Sequence, residues 1–355
     1  MIWPSGAAKV EFDKQAFFYE ENSEKIAVIQ QDQNETEGRH DADSDTSLHT
    51  GVQNQMQTPV DAILELVNSI ISSEEDITRN TPQLVKMNGQ IDFTTGTLIL
   101  VNKWTSLPQN FTPEGLTKIT GKSKEVKLEC SYSGLTAKQE VIHGLTDMLK
   151  ALKENVHNRV IITSGYRSYD YQKLLYNQKV NSLTGKLGRQ AAQQQASEIV
   201  APPGTSEHQT GLAVDITTPE LLKTSDPLVS EFGETVQGQW IYENSWKYGF
   251  IIRYQPDKKD ITGIIYEPWH LRYVGVPHAE IMFKNGWCLE EYHQQLRSKA
   301  HIAYSTENKK YDIFYTTIPL GQQAFNEIYG EQVQYEISGD GREGYFITIA
   351  SDVLK

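Results

Sequence analysis

The chain has 355 residues, and its 33 Lys and Arg against 46 Asp and Glu give a formal net charge of −13. That length supports two or three domains of roughly 100–200 residues with a sizeable buried core. The negative balance argues against a nucleic-acid binder or a protein held on an anionic membrane, both of which need clustered basic surface, and no stretch reaches the roughly 20 apolar residues of a membrane helix.

The acidity is concentrated at the start. Residues 1–50 carry 11 acidic and 4 basic side chains, so they hold −7 of the total. Gln30–Thr58 is rich in Gln, Asn, Asp, Glu, Ser and Thr and cannot bury enough apolar surface to offset the entropy of ordering. Pro59–Ser73 predicts one short amphipathic helix, with Ala62, Leu64, Leu66, Val67 and Ile70 near helical spacing. Residues 1–95 therefore read as an acidic, polar spacer, largely disordered. Met1–Val10 lacks the basic start and apolar run of a signal peptide, so the protein is either cytoplasmic or begins after a removed leader or anchor.

The folded region begins near Gly96. Thr97–Val101 reads as a strand, and Leu107–Glu114 as a loop and turn. Thr136–Asn155 has the clearest helical period, with Val141, Leu145, Met148, Leu149 and Leu152 on one stripe. Arg159–Thr163 is a buried strand, Ser168–Val180 a helix with Tyr171, Leu174 and Leu175 inward, and Lys186–Ser197 a further helix. Gly211–Ile216 alternates, with Leu212, Val214 and Ile216 on one face and Gly211, Ala213 and Asp215 on the other. Glu243–Tyr248 is a short helix. Phe250–Tyr254 and Thr262–Tyr266 predict a hairpin around Pro256–Asp260, continued by His270–Val274. Ala279–Ser298 reads as one helix. Ile313–Thr317, Val333–Ile337 and Tyr345–Ile349 suggest a small β-rich appendage over 299–355, leaving 96–298 as the main domain. Cys130 and Cys288 allow one disulfide or none, and without a C-x-x-C spacing they are a poor metal or redox signal.

Of nine His, two stand out by their neighbours. His208 lies in Ser206-Glu207-His208-Gln209-Thr210-Gly211-Leu212-Ala213-Val214-Asp215. Asp215 shares its strand face only with Gly211 and Ala213, which leaves room beside the carboxylate. A carboxylate there is expensive unless it is paired or bound to a metal. His270 lies in Tyr266-Glu267-Pro268-Trp269-His270-Leu271-Arg272-Tyr273, three residues after Glu267. Two His and one Asp make three ligands, the number a catalytic zinc commonly takes while leaving a fourth position for water. Glu267 would then be the base for that water. The competing reading pairs Asp215 with Arg167 or Arg272 and leaves both imidazoles as ordinary hydrogen-bonding groups. In Ile162-Thr163-Ser164-Gly165-Tyr166-Arg167-Ser168, a strand end meets a helix start. Ser168 is placed to cap the helix, and Arg167 sits where anions are commonly recognised.

Together these clusters resemble the VanY-type D-alanyl-D-alanine carboxypeptidases, zinc metallopeptidases related to VanX-type D-Ala-D-Ala dipeptidases and more distantly to the Hedgehog zinc domain. Both the S-x-H-x-x-G-x-A-x-D and the E-x-W-H patterns are complete and follow Y-R-S in the same order. Leu98–Lys103, Pro202–Gly204, Trp246–Phe250, Arg272–Gly275, His278–Met282 and Cys288–Tyr292 are also similar to such chains. The resemblance implies an α+β fold with a small, mostly antiparallel sheet flanked by helices. It implies one Zn2+ per chain held by His208, Asp215 and His270. Glu267 would be general base and proton donor, Arg167 would stabilise the oxyanion, and Ser206 and Gln172 would hold substrate. The implied reaction removes the terminal D-Ala from peptidoglycan stem peptides ending in D-Ala-D-Ala, outside the membrane. The alternatives are another cut by the same centre (L,D-carboxypeptidase, D,D-dipeptidase or endopeptidase) or a non-catalytic, zinc-containing wall-binding module.

Overall fold

The structure, a computed structural model, describes residues 92–119, 127–317 and 335–352. Nearly all of the expected spacer, including the helix at Pro59–Ser73, lies outside the described residues. A short antiparallel ribbon, Leu116–Lys118 (β1) with Thr136–Lys138 (β2), leads into the first helix. That helix, Gln139–Val156 (α1), buries all five residues of the predicted stripe. It packs them on an antiparallel sheet of Ile161–Ser164 (β3), Ala213–Thr217 (β4), Phe250–Tyr254 (β5) and Glu267–Tyr273 (β6), ordered β3-β4-β6-β5. Leu212, Val214 and Ile216 enter this core, as the alternation requires. The opposite face is thereby free to carry polar groups.

Tyr169–Leu187 (α2) starts at Ser168, whose hydroxyl accepts from the Tyr171 amide as expected of an N-cap. Gly188, at φ +74°, turns the chain into Arg189–Ser197 (α3). The inward face of α2 differs from the sequence reading. Tyr171 and Leu174 are 47% and 51% exposed, while Val180 packs with Tyr176 and Leu183 onto Ala192 and Ala196 of α3. The two helices form a hairpin with its own small core, so α2 does not point its large residues at the sheet. Val236–Asn244 (α4) runs into a tight 3-10 turn at Ser245–Tyr248.

Three further expectations change. Thr262–Tyr266 is not a strand. Its start lies in a helical turn, Lys259–Thr262, and the partner of β5 is Glu267–Tyr273. The helix expected over Ala279–Ser298 is two, Val276–Asn285 (α5) and Leu289–Lys299 (α6), separated at Gly286, whose φ is +66°. Thr97–Val101 is buried but unpaired with any strand. Side chains serve its backbone instead: Arg272 donates to the Thr97 and Ile99 carbonyls, His293 Nε2 to the Leu98 carbonyl, and the Leu98 amide donates to Ser338 Oγ. Buried backbone groups must be partnered, and here side chains replace a ladder.

The β-rich end forms a second four-stranded antiparallel sheet of His301–Ser305 (β7), Lys309–Thr316 (β8), Tyr335–Gly339 (β9) and Tyr345–Asp352 (β10). Its Ile302, Ile313 and Phe346 share one core with Leu98, Leu100, Val274, Met282, Tyr292 and Leu296. His278 stitches the layers, with Nδ1 2.8 Å from Tyr292 Oη and Nε2 3.1 Å from Thr348 Oγ1. Cys130 and Cys288 are both free thiols.

Burial pushes His278 and His293 down to about 3. Both lie below the unfolded value of about 6.5, so under that pH the unfolded chain takes up protons that the folded chain refuses. Stability is therefore lost as pH falls from about 6.5 toward 3. By pH 5.5 the two together cost about 2–3 kcal/mol. Thermal melts of the parent and of the double variant His278→Gln, His293→Gln check this: the variant should show the shallower pH dependence, and parallel curves would refute it.

Candidate active site

Three strands place the central row of the site. Asp215 on β4 is in register with Ser164 on β3 and with His270 on β6, so all three side chains project from the sheet face opposite the core. His208 arrives from a 3-10 turn, Glu207–Thr210, that ends at Gly211 with φ +72°. Its Nδ1 donates to the Gly165 carbonyl at 2.7 Å, which leaves the Nε2 lone pair facing inward. Gly165 lets the chain pass β2 closely, because a Cβ there would lie 2.3 Å from the Thr136 carbonyl oxygen.

Glu267 reaches the same site through a break in strand pairing. Regular alternation would send Glu267 and His270 to opposite faces. Between the pairs Ile252–Leu271 and Tyr254–Glu267 the register shifts, so four steps along β6 match two along β5. This bulge brings a Glu267 oxygen to 3.6 Å from His270 Nδ1.

The predicted ligand set converges. One ligand atom each from His208, Asp215 and His270 lies within 4.8 Å of the others, and all three residues are buried. His208 Nε2 is 3.2 Å from Asp215 Oδ2, and His270 Nδ1 is 3.3 Å from Asp215 Oδ1. A tetrahedral ion with bonds of about 2.0–2.1 Å separates its ligand atoms by about 3.3 Å, so the spacing suits zinc. His208 Nε2 and Asp215 Oδ1 have no hydrogen-bond partner despite full burial, which is expensive unless an ion uses them.

Arg167 bonds the Asp215 carboxylate while its Nε donates to Ser164 Oγ at 2.8 Å and its Nη1 to Gln172 Oε1 at 3.3 Å. The sequence alternative of an Asp215–Arg167 pair is thus present together with the ligand cluster. Gln172 also donates to the Ala201 carbonyl at 2.8 Å, so it braces Arg167 from behind. Ser206 is buried at the cleft wall. Arg272 lies elsewhere, wholly buried against Glu207.

The electrostatics follow from burial and neighbours. Burial pushes Glu267 up to about 8; His270 and Arg167 oppose the rise and Asp215 adds to it. Burial opposes charge on His270, but the carboxylates of Asp215, Glu207 and Glu267 around the ring outweigh it and lift the imidazole to about 9. Burial, with Arg167 beside it, lowers His208 to about 4. Asp215 pays a desolvation penalty that His208 and Arg167 more than offset, so its carboxyl stays well below the usual range. A carboxylate wanted as an anion and a carboxyl able to carry a proton near neutrality stand side by side, the separation that acid–base chemistry needs.

The row opens into a cleft of about 420 Å³ that continues along α2 past Gln178 and Lys179 to Ser182. Residues 135–276, which span this row, match the family described as VanY: D-alanyl-D-alanine carboxypeptidase. A D-alanyl-D-alanine carboxypeptidase of Enterococcus faecium is 32% identical over 258 residues, covering 72% of this chain and 75% of that protein. The chain belongs to the VanY D-alanyl-D-alanine carboxypeptidase family. Another relative, a bifunctional D-Ala-D-Ala dipeptidase and D-Ala-D-Ala carboxypeptidase of Enterococcus gallinarum, is 34% identical over 202 residues, 56% of this chain and 95% of that protein. The solved D,D-dipeptidase VanXYg, in complex with a D-Ala-D-Ala phosphinate analogue, matches with a TM-score of 0.58 at 28% identity, over 73% of this chain and 95% of that one. The motif resemblance and the α+β expectation both hold: this is a VanY-type carboxypeptidase built on helices and antiparallel sheets. Among the described residues no helix is long and apolar enough to cross a membrane.

One residue of the site region went unassigned in the sequence. Glu207 stands beside His208, is wholly buried, and meets Arg253 and Arg272. The signal was available: Arg253 and Arg272 sit in otherwise apolar strand runs, and buried charges demand partners.

Proposed function

We propose that the chain is a zinc-dependent D-alanyl-D-alanine carboxypeptidase acting on peptidoglycan stem peptides. His208 Nε2, the Asp215 carboxylate and His270 Nδ1 would hold one zinc ion. When bound, the ion supplies Lewis-acid polarisation and makes water acidic enough to attack at neutral pH. Glu267 would take the proton of the attacking water as the new C–O bond forms and the carbonyl electrons move onto oxygen, and would then deliver that proton to the amine of the departing D-alanine as those electrons return and the peptide C–N bond breaks. Arg167 presents its guanidinium to the carbonyl oxygen as negative charge develops. Ser206 faces the substrate's terminal carboxylate. Gln172, already bonded at both ends, acts by holding Arg167 in place.

The observation that carries this reading is the ligand convergence with Glu267 beside it, at the inner end of an open cleft. The cleft also bears on the bond cut. From Gln172 to Ser182 α2 advances about 15 Å, while an extended dipeptide spans about 7 Å. The groove thus has room for about four residues, which favours a stem peptide over free D-Ala-D-Ala. Such stems lie outside the membrane, so the proposed site of action is extracytoplasmic, at the cell wall.

A muropeptide digest read by mass spectrometry tests the proposal. We expect pentapeptide stems to lose one terminal D-Ala, and a strong chelator to abolish the loss until zinc is restored. Release of a dipeptide or an internal cut would replace the substrate assignment. Chelator-resistant hydrolysis would remove the metal, and wall binding without hydrolysis would favour a non-catalytic module.

A further inference from the structure

Behind His270, away from the cleft, lies a charge cluster with an asymmetric arrangement. Arg253 Nε and Arg272 Nη1 both donate to the same oxygen, Glu207 Oε1, at 2.8 and 2.6 Å. Arg253 turns its two Nη atoms to Glu290, at 2.7 and 2.9 Å, and Arg272 spends Nη2 on the Thr97 and Ile99 carbonyls. Every charge is satisfied except on one side. Glu207 Oε2 is buried without a hydrogen-bond partner, and so is His270 Nε2. The two unpartnered atoms face each other at 3.8 Å. That is longer than a direct hydrogen bond of about 2.8 Å, and a side-chain shift of about 1 Å would close it. The far nitrogen of the same ring, Nδ1, points at Asp215 and Glu267.

We propose that Glu207 is a positioning residue: its Oε2 accepts the Nε2 proton of His270 and so commits Nδ1, with its lone pair, to the metal. This rests on the zinc site proposed above. A neutral imidazole has one N–H and one lone pair, and whichever nitrogen meets an acceptor keeps the proton. Two arginines hold Glu207 Oε1 fixed, so the remaining oxygen can satisfy itself only through the ring. A glutamine at this position would reverse the outcome. Its carbonyl oxygen would remain with the arginines, and its NH2 would meet Nε2. That would force the proton onto Nδ1 and block the ligating atom.

Two measurements test this. In the 15N-histidine-labelled holoprotein with 113Cd in place of zinc, we expect metal coupling at His270 Nδ1 and a slowly exchanging proton on Nε2; metal on Nε2 overturns the proposal. In chelator competition, Glu207→Gln is expected to weaken metal binding by about 10–100-fold, with melting of the metal-free variant reporting that it folds. Glu290→Gln, which loosens Arg253 from its other side without touching an imidazole, is expected to leave metal affinity within about threefold. Equal losses in both variants would make the cluster merely structural and overturn the proposal, as would an unchanged Glu207→Gln. If Glu207→Gln fails to fold, the coupling measurement decides alone. A parent protein that takes up neither metal would sink the zinc site itself, and this inference with it.

Discussion

Glu267→Gln is expected to lower kcat by about 10²–10⁴-fold while metal content stays at one ion per chain. Glu267 is not in the ligand row; it reaches the site across the bulge and lies 3.6 Å from His270 Nδ1. Removing its charge should therefore leave His208, Asp215 and His270 able to hold the ion. What is lost is a group that can both take and return a proton, which an amide cannot do. The amide has the same shape and brings no charge into the buried site, so the metal-free variant should melt no lower than the parent. Elemental analysis beside steady-state kinetics checks the prediction. Full metal with parental turnover would remove Glu267 as the base, and lost metal would make it a ligand.

Arg167→Lys should lower kcat by about 10²–10³-fold, with a smaller change in KM. The guanidinium holds three directions at once: Ser164 through Nε, Gln172 through Nη1 and Asp215 through Nη2. A lysine carries one compact ammonium and cannot hold that planar fork. Positive charge would survive in the site while its aim is lost, so the variant separates orientation from charge. Kinetics on a stem peptide and on a truncated analogue measure it. A rate near the parent's would show that charge alone suffices.

Much of this was legible in the sequence, and the exceptions have physical causes. The α1 stripe from Val141 to Leu152 fixed a helix because five apolar residues at helical steps have one way to share a core. The place of Asp215 beside His208 and His270 was readable because its strand neighbours are small and its other face is apolar. Thr97–Val101 misled because its β-branched, apolar residues are indeed buried and extended. Its carbonyls, however, go to Arg272 and His293, whose reach across 175 and 195 positions no local pattern reveals. Tyr171 and Leu174 misled because α2 finds its core in α3, not in the sheet. The 279–298 segment keeps its apolar spacing through Gly286, so periodicity alone ran two helices into one. Glu207 carries no local signal because its partners, Arg253 and Arg272, stand 46 and 65 positions away.

The shifted pairing between β5 and β6 has an implication for how this chemistry is encoded. Acid, imidazole and arginine are common residues, and any of them could be supplied by many sequences. The scarce ingredient is a count: a strand with surplus length at one place, without which Glu267 and His270 would turn their backs on each other. E-x-x-H is the trace that this local slack leaves in the primary structure. Straightening that stretch without changing its length would turn Glu267 away from His270 with both side chains still present.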